Sequence, residues 1–188
     1  MLSQNRSKRR ATRAVPLLLA STLLAAASTH AAETARTPLV LTAYINGPGG
    51  ESLLAGHYAQ AFAEMSKAKP QNTLAASTKA TNLCVAYAAT RKLAEAREAC
   101  DVALRLAKAE RLSSSRYSPG TMRENADLAA AYANRAVVHM LMRDAGSAKA
   151  DLQRAQALAP RAEFVVKNVA AVAKVGTAIA QADVTSSR

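Results

Sequence analysis

The sequence predicts an all-α protein built from antiparallel helical hairpins. Beyond the N-terminal segment, Ala, Leu, Arg, Lys and Glu fill the stretches between a few Gly and Pro residues, and these are strong helix formers. Apolar residues recur at helical spacing, as at Ala80, Leu83, Cys84 and Tyr87, so that each helix has one apolar face. The short segment ATRK around Arg91 separates two such helices, which favours a tight hairpin turn.

The first 31 residues have the layout of a secretory signal peptide. A basic region precedes an apolar run of thirteen residues from Val15 to Ala27, and the small-residue stretch STHAAE follows. Thirteen residues are fewer than the roughly 20 that a membrane-spanning helix needs. We expect cleavage after Ala31 or Ala32 by the general export route, a periplasmic or secreted location, and no stable membrane span afterwards. An uncleaved anchor is the alternative.

The charge of the mature chain argues against a nucleic-acid partner. Removing residues 1–31 leaves 20 basic and 13 acidic residues, so the formal net charge falls from +12 to +7. The basic residues, including Arg97, Arg105 and Arg135, are spread among acidic ones and are typical of a solvated helical surface. Nucleic-acid binding favours clustered Lys and Arg with stacking aromatics, and the chain has no Trp and two Phe.

Residues 32–50 are predicted to form an extended arm or linker. Its LVLTAYI stretch, Leu39–Ile45, is β-branched and aromatic and precedes the turn NGPGG, which indicates a short strand or an ordered arm. The helical domain is expected to occupy 51–181, and a disordered tail 182–188.

Small residues recur in the helical part in blocks that start 35 and 52 residues apart, and the second interval corresponds to a period near 34 residues with about 18 inserted residues. Blocks that begin at Gly56, Arg91 and Arg143 each have Ala at their sixth and thirteenth positions. Such a period indicates stacked hairpins. The aligned alanines are Ala61, Ala96 and Ala148 in the sixth position, and Ala68, Ala103 and Ala155 in the thirteenth.

These residues, with Tyr87 and Tyr132 in the first helices and Pro160 at the end of a block, resemble the tetratricopeptide repeat. The resemblance implies an α-solenoid with a right-handed superhelix. It implies units near 51–74, 77–108, 129–160 and 163–181, with an insert at 109–128 that is a loop or an extended helix start. Arg91 and Arg143 stand where the repeat usually has Gly. A generic Ala-rich helical bundle is the alternative, since helical periodicity alone is common.

The two cysteines are predicted to form a disulfide. Cys84 lies seven residues before Arg91 and Cys100 eight after Lys92, so an antiparallel hairpin brings them to the same height on facing helices. Export supplies an oxidising compartment. Two buried free thiols are the alternative. Redox catalysis usually uses C-x-x-C, and a metal site lacks further ligands.

No catalytic or cofactor site is predicted. His139 occupies an aromatic core position of its repeat, and His57 is expected at the surface. No nucleophile stands in a G-x-S-x-G context, and NGPGGES lacks the Lys of a phosphate-binding loop. We therefore expect no enzyme activity, no cofactor and no metal.

The resemblance instead implies a partner-binding groove lined by the first helix of each repeat. Asn82, Asn134 and Asn168 recur at the sixth position, where an amide can bond a partner's backbone. The alternative is a structural role, as a helix N-cap or in hydrogen bonds within the groove. The first hypothesis is an interaction scaffold or adaptor of the periplasm or cell envelope that binds a peptide or helix. The second is a structural or homo-oligomeric helical protein whose groove is covered by its own arm, Pro38–Gly50, or by a second copy. The groove residues expected are Thr78, Asn82, Val85, Asn134, Val137, Leu141, Lys167 and Asn168.

Overall fold

A computed structural model describes residues 38–115 and 122–186. These residues form seven α-helices and no β-strand, which confirms the all-α prediction. The predicted signal peptide, residues 1–31, lies outside the described residues. The helices are α1 (Gly50–Leu54), α2 (Tyr58–Lys67), α3 (Thr73–Ala89), α4 (Leu93–Ser115), α5 (Met122–Leu141), α6 (Ala145–Leu158) and α7 (Glu163–Ser186).

The predicted disulfide links α3 to α4. The sulfur atoms of Cys84 and Cys100 are 2.03 Å apart, and the two Cα atoms are 4.9 Å apart. Both side chains are at most 1% exposed and belong to one apolar cluster with Ala88 and Ala96. The sulfur bridge therefore lies inside the helix pair, away from solvent.

Reduction of this disulfide is expected to lower the free energy of unfolding by about 3 kcal/mol, because the bridge closes a loop of 16 residues in the unfolded chain. Urea unfolding of the oxidised and reduced chains measures the difference. Mass spectrometry after alkylation in denaturant without reductant should find no modified thiol. Two alkylated cysteines in the unfolded, non-reduced chain would contradict the pairing.

Both long hairpins turn in the same way. Arg91 and Arg143 have φ values of 61° and 65°, the left-handed region that the repeat family usually gives to Gly. The next residue in each turn donates its N–H back into the preceding helix, from Lys92 to the Tyr87 carbonyl at 2.9 Å and from Asp144 to the His139 carbonyl at 2.8 Å. This closing bond is that of a Schellman motif.

Replacing Arg143 with Gly is expected to raise the free energy of unfolding by roughly 0.5–1 kcal/mol. A left-handed conformation costs a non-Gly residue roughly 1–2 kcal/mol, part of which is offset by the greater entropy of Gly in the unfolded chain. Thermal or urea unfolding measures the gain. The control is Arg97→Gly, at an exposed helical position of α4, which should lose about 1 kcal/mol. Equal losses for both variants would refute the strain at Arg143.

Three apolar clusters join the helices in chain order. The first connects α1, α2 and α3 through Leu53, Met65 and Val85. The second connects α3, α4 and α5 around the disulfide, and the third connects α4 to α7 from Leu104 to Val165. The repeated alanines make this close packing possible, and Ala61, Ala96, Ala103, Ala148 and Ala155 are all at most 1% exposed.

Two predicted boundaries differ from the structure. α4 continues to Ser115 and α5 begins at Met122, so the described part of the insert 109–128 is helical. α7 likewise extends to Ser186, within the stretch 182–188 for which the sequence predicts a disordered tail. The first helix of the range predicted as the first unit is short, since α1 has only five residues.

Candidate functional site

The extended arm lies across the first helices of the hairpins. Residues 38–44 form neither helix nor strand. Along this segment, Val40 contacts α7, Thr42 contacts α5 and Tyr44 contacts α3. The arm therefore crosses the predicted groove from the last helix back to the first hairpin. Of the two conformations that the sequence left open for Leu39–Ile45, the ordered arm is the one observed.

Three asparagines each hold the main chain of one arm residue. Asn168 Oδ1 accepts from the Val40 N–H at 2.7 Å, and its Nδ2 donates to the Val40 carbonyl at 2.8 Å. Asn134 makes the same pair with Thr42 at 2.7 and 2.8 Å. Asn82 makes it with Tyr44 at 2.8 and 3.0 Å. Because N–H and C=O of an extended residue point to the same side, every second residue faces an asparagine.

These hydrogen bonds contribute strongly to binding of the arm because the asparagines are buried. Asn82, Asn134 and Asn168 are at most 1% exposed. A buried carboxamide without partners carries a desolvation penalty of about 1–3 kcal/mol per unpaired group. The arm supplies both the donor and the acceptor that each amide needs. The asparagines and the arm thus satisfy each other, and neither is satisfied alone.

The residues between the bonded ones contribute apolar contacts. Leu41 packs against the two clusters that contain Val85 and Val138, and Ala43 packs against the cluster of Val85 alone. Leu41 and Ala43 are partly buried. The arm is therefore held by main-chain hydrogen bonds at even-numbered residues and by side-chain packing at odd-numbered ones.

The turn after the arm is fitted closely to α2 and α3. A Cβ atom at Gly47 would collide with Thr78 Cγ2, and one at Gly49 would lie 2.7 Å from the Ala61 carbonyl oxygen. Gly49 also has a φ of 70°, which favours glycine. Asn82 Nδ2 donates a further hydrogen bond to the Pro48 carbonyl at 3.1 Å. The glycines of NGPGG thus let the turn follow the helices closely.

The side chain of Tyr44 adds a polar contact with α5. Its hydroxyl donates to Asp127 Oδ1 at 2.8 Å. Burial, together with the negative charge of Asp127 and this hydrogen bond, raises the pKa of Tyr44 well above its ordinary value. This shift favours the neutral phenol, which is the donor in the hydrogen bond to Asp127.

Most of the predicted groove residues lie at or beneath the arm, but Lys167 does not bond it. Val85 and Val137 are buried, and Leu141 packs on the same cluster as Leu41. Lys167 is half exposed and pairs with Glu163 of its own helix at 2.6 Å. Its charge is directed to that carboxylate because the two residues are neighbours at i and i+4.

A partly buried charge network is not indicated by the sequence. Arg135, which the sequence placed on a solvated surface, is 20% exposed and bonds Asp151 at 2.7 and 2.9 Å and Asp101 at 2.8 Å. These hydrogen bonds, chiefly those to Asp151, raise the pKa of Arg135. Arg154 also bonds Asp151, at 3.0 Å. The partners lie on α4, α5 and α6, so the network joins three helices.

The two histidines in the described part of the chain lie apart from each other. His139 is partly buried, with Nδ1 3.5 Å from Asp144 and Nε2 3.8 Å from Asp151. His57 is exposed and precedes α2. Across the described residues, no group of three or more His, Cys, Asp or Glu side chains is arranged to hold a metal ion. None of the described helices has the length and apolar character needed to cross a bilayer.

Comparison of the chain with protein-family models, with curated proteins and with solved structures gives no match. The resemblance to the tetratricopeptide repeat rests on the positions quoted above.

Proposed function

We propose that this protein is a non-catalytic interaction scaffold whose groove binds extended peptide segments, and that its own arm is the resident occupant. The observation that carries the proposal is the row of three asparagines, each paired with the N–H and C=O of one arm residue. Paired donor and acceptor bonds at alternate residues are the means by which extended peptides are recognised through their main chain.

A groove that binds the main chain of a peptide can accept many peptide sequences. Every non-proline residue carries the same N–H and C=O, so Asn82, Asn134 and Asn168 can hold any extended segment that offers both groups in this register. The tetratricopeptide resemblance supports the same function, because first helices line the ligand groove in that family. The carboxamides and the buried Val85 and Val137 are suited to binding an extended peptide.

The arm competes for the groove from within the same chain, so a partner must bind tightly enough to displace it. A segment joined to its site by a short turn has an effective concentration on the order of mM or higher. With a micromolar intrinsic dissociation constant for the arm, a competing peptide binds roughly a thousandfold more weakly than it would to an empty groove. The arm therefore keeps the groove closed against weak ligands.

Export to the periplasm or cell surface is part of the proposal. The basic and apolar pattern of residues 1–31 supports it, and so does the Cys84–Cys100 pair, because disulfides persist in oxidising compartments. A partner is then a peptide or protein of the envelope.

The second candidate is a self-contained structural protein, and the observation that favours it is the arm's complete use of the three asparagines. In that case the arm is a permanent part of the fold. In a related arrangement, the arm of each copy occupies the groove of the other copy, and the two copies form a homodimer.

A full chain with Val40→Pro and Thr42→Pro separates the candidates. Proline removes the N–H that Asn168 or Asn134 accepts, while the groove stays unchanged. Leu39→Pro is the control, because its N–H faces away from the asparagines. A labelled peptide of residues 38–47 should bind the double variant at least about 100-fold more tightly than the control. Absence of binding, with a cooperative loss of stability, would favour the structural role, and light scattering would identify an arm-exchanged dimer.

A further inference from the structure

One side chain of the arm enters a subsite of its own. Tyr44 lies where α3, α4 and α5 meet, and the cavity left beside it has a volume of about 10 Å³, about the minimum for one water molecule. A tyrosine thus nearly fills the space. The residues around the cavity, besides Tyr44, are Leu74, Ser77, Thr78, Ala107, Glu110, Arg111, Glu124 and Asp127.

The polar end of this subsite is matched to a phenol. Asp127 Oδ1 accepts the Tyr44 hydroxyl at 2.8 Å, and Asp127 Oδ2 lies 3.9 Å from Arg123 Nε on the same helix. An ionised carboxylate can only accept hydrogen bonds, so it favours a side chain that brings a donor at this depth. Phenylalanine fits the same volume but leaves this oxygen of Asp127 without the donor.

We propose that the groove is selective for extended segments that carry a tyrosine at the residue held by Asn82, and that Asp127 determines this selectivity. This inference rests on the proposed peptide-binding function and names its ligand class. The asparagines read only the main chain, and Leu41 and Ala43 contribute apolar contacts. Within residues 38–44, Tyr44 is the residue whose side chain hydrogen-bonds a helix, so discrimination between similar segments falls to its hydroxyl.

The test compares two labelled peptides on one full-length variant. Val40→Pro, Thr42→Pro and Tyr44→Ala together release the arm and vacate the subsite. The peptides are residues 38–47, PLVLTAYING, and the same sequence with Phe in place of the Tyr. Fluorescence anisotropy should give at least about 10-fold tighter binding for the Tyr peptide, the usual effect of a hydrogen bond to a charged group. Adding Asp127→Ala should remove the difference.

The possible results distinguish the peptide groove, the tyrosine subsite and the role of Asp127. Equal binding of the Tyr and Phe peptides would overturn the tyrosine subsite and leave the peptide groove standing. Binding of neither peptide to a folded variant would overturn both. A Tyr preference that survives Asp127→Ala would overturn the role of Asp127.

A second measurement needs no arm-released variant. In the otherwise native chain, Tyr44→Phe and Asp127→Ala should each accelerate hydrogen exchange at the amides of Val40, Thr42 and Tyr44 by about 10-fold. The double variant should show no further acceleration, because both changes remove the same bond. Additive effects would overturn the contact. Tyr58→Phe, on α2, is the matched control and should leave exchange in the arm unchanged.

Discussion

Replacing Ala96 with arginine is expected to abolish stable folding of the chain. Ala96 is 0% exposed and packs in the cluster that contains the disulfide, Ala88 and Val138. An arginine there overfills a closely packed helix pair, at a cost of roughly 1–3 kcal/mol, and also brings an unpaired charge out of water. Together these costs reach about 4 kcal/mol or more, comparable with the whole stability of a small domain, about 5–15 kcal/mol.

Circular dichroism during urea unfolding measures this loss, and the same helix offers a matched control. Ala94→Arg adds the same side chain two residues away at an exposed position, and should change the free energy of unfolding by less than about 0.5 kcal/mol. Ala148→Arg should repeat the severe effect in the α5–α6 hairpin, since Ala148 is also 0% exposed. If Ala96→Arg and Ala94→Arg were equally tolerated, close helix approach at these alanines would not hold the hairpins together.

The hairpins could be predicted because local sequence determines them. Helical spacing of apolar residues and the short ATRK turn indicate where α3 and α4 pair, and this placed Cys84 opposite Cys100 correctly. The ends of the helices were harder to predict. Ser, Pro and Gly in the insert left a loop or an extended helix start open; in the structure α4 continues to Ser115, and Ser113 donates its hydroxyl to the Glu110 carbonyl at 2.8 Å. Serine is tolerated in a helix when it bonds a carbonyl of the preceding turn.

The asparagines of the groove could be found from their recurrence, but their occupant could not. Main-chain hydrogen bonds use groups that every residue has, so the sequence of residues 39–45 carries no mark of the amides that hold it. Side-chain pairs that form only after the helices pack together also cannot be predicted from a local sequence pattern. Tyr44 and Asp127 are 83 residues apart, and Arg135 is 34 from Asp101, so helical spacing within one segment indicates neither pair. The role of Lys167 in the groove stays a prediction, and in the structure its ammonium group pairs with Glu163 of the same helix.

Asn134 is expected to be the most sensitive position for retention of the arm. It is the middle of the three asparagines, is 1% exposed, and bonds both polar groups of the Thr42 main chain. Asn134→Ala removes both bonds and leaves the N–H and C=O of Thr42 without them. Loss of two such bonds should weaken docking of the arm by roughly 2–3 kcal/mol. Hydrogen exchange at the Thr42 amide should then accelerate about 30- to 100-fold, while α5 itself remains protected.

Two further variants make this expectation specific to the carboxamide. Asn134→Asp keeps an acceptor for the Thr42 N–H but presents a second oxygen to the Thr42 carbonyl, so it should release the arm at least as strongly as alanine does. Lys167→Ala changes a residue that the repeat pattern places in the groove but that pairs with Glu163, and it should leave exchange at Thr42 unchanged. If Asn134→Ala left the arm as protected as in the native chain, apolar contacts of Leu41 and Ala43 would be its principal anchor. Recognition in this groove would then depend on side chains, because the main-chain bonds would add too little to select an extended segment.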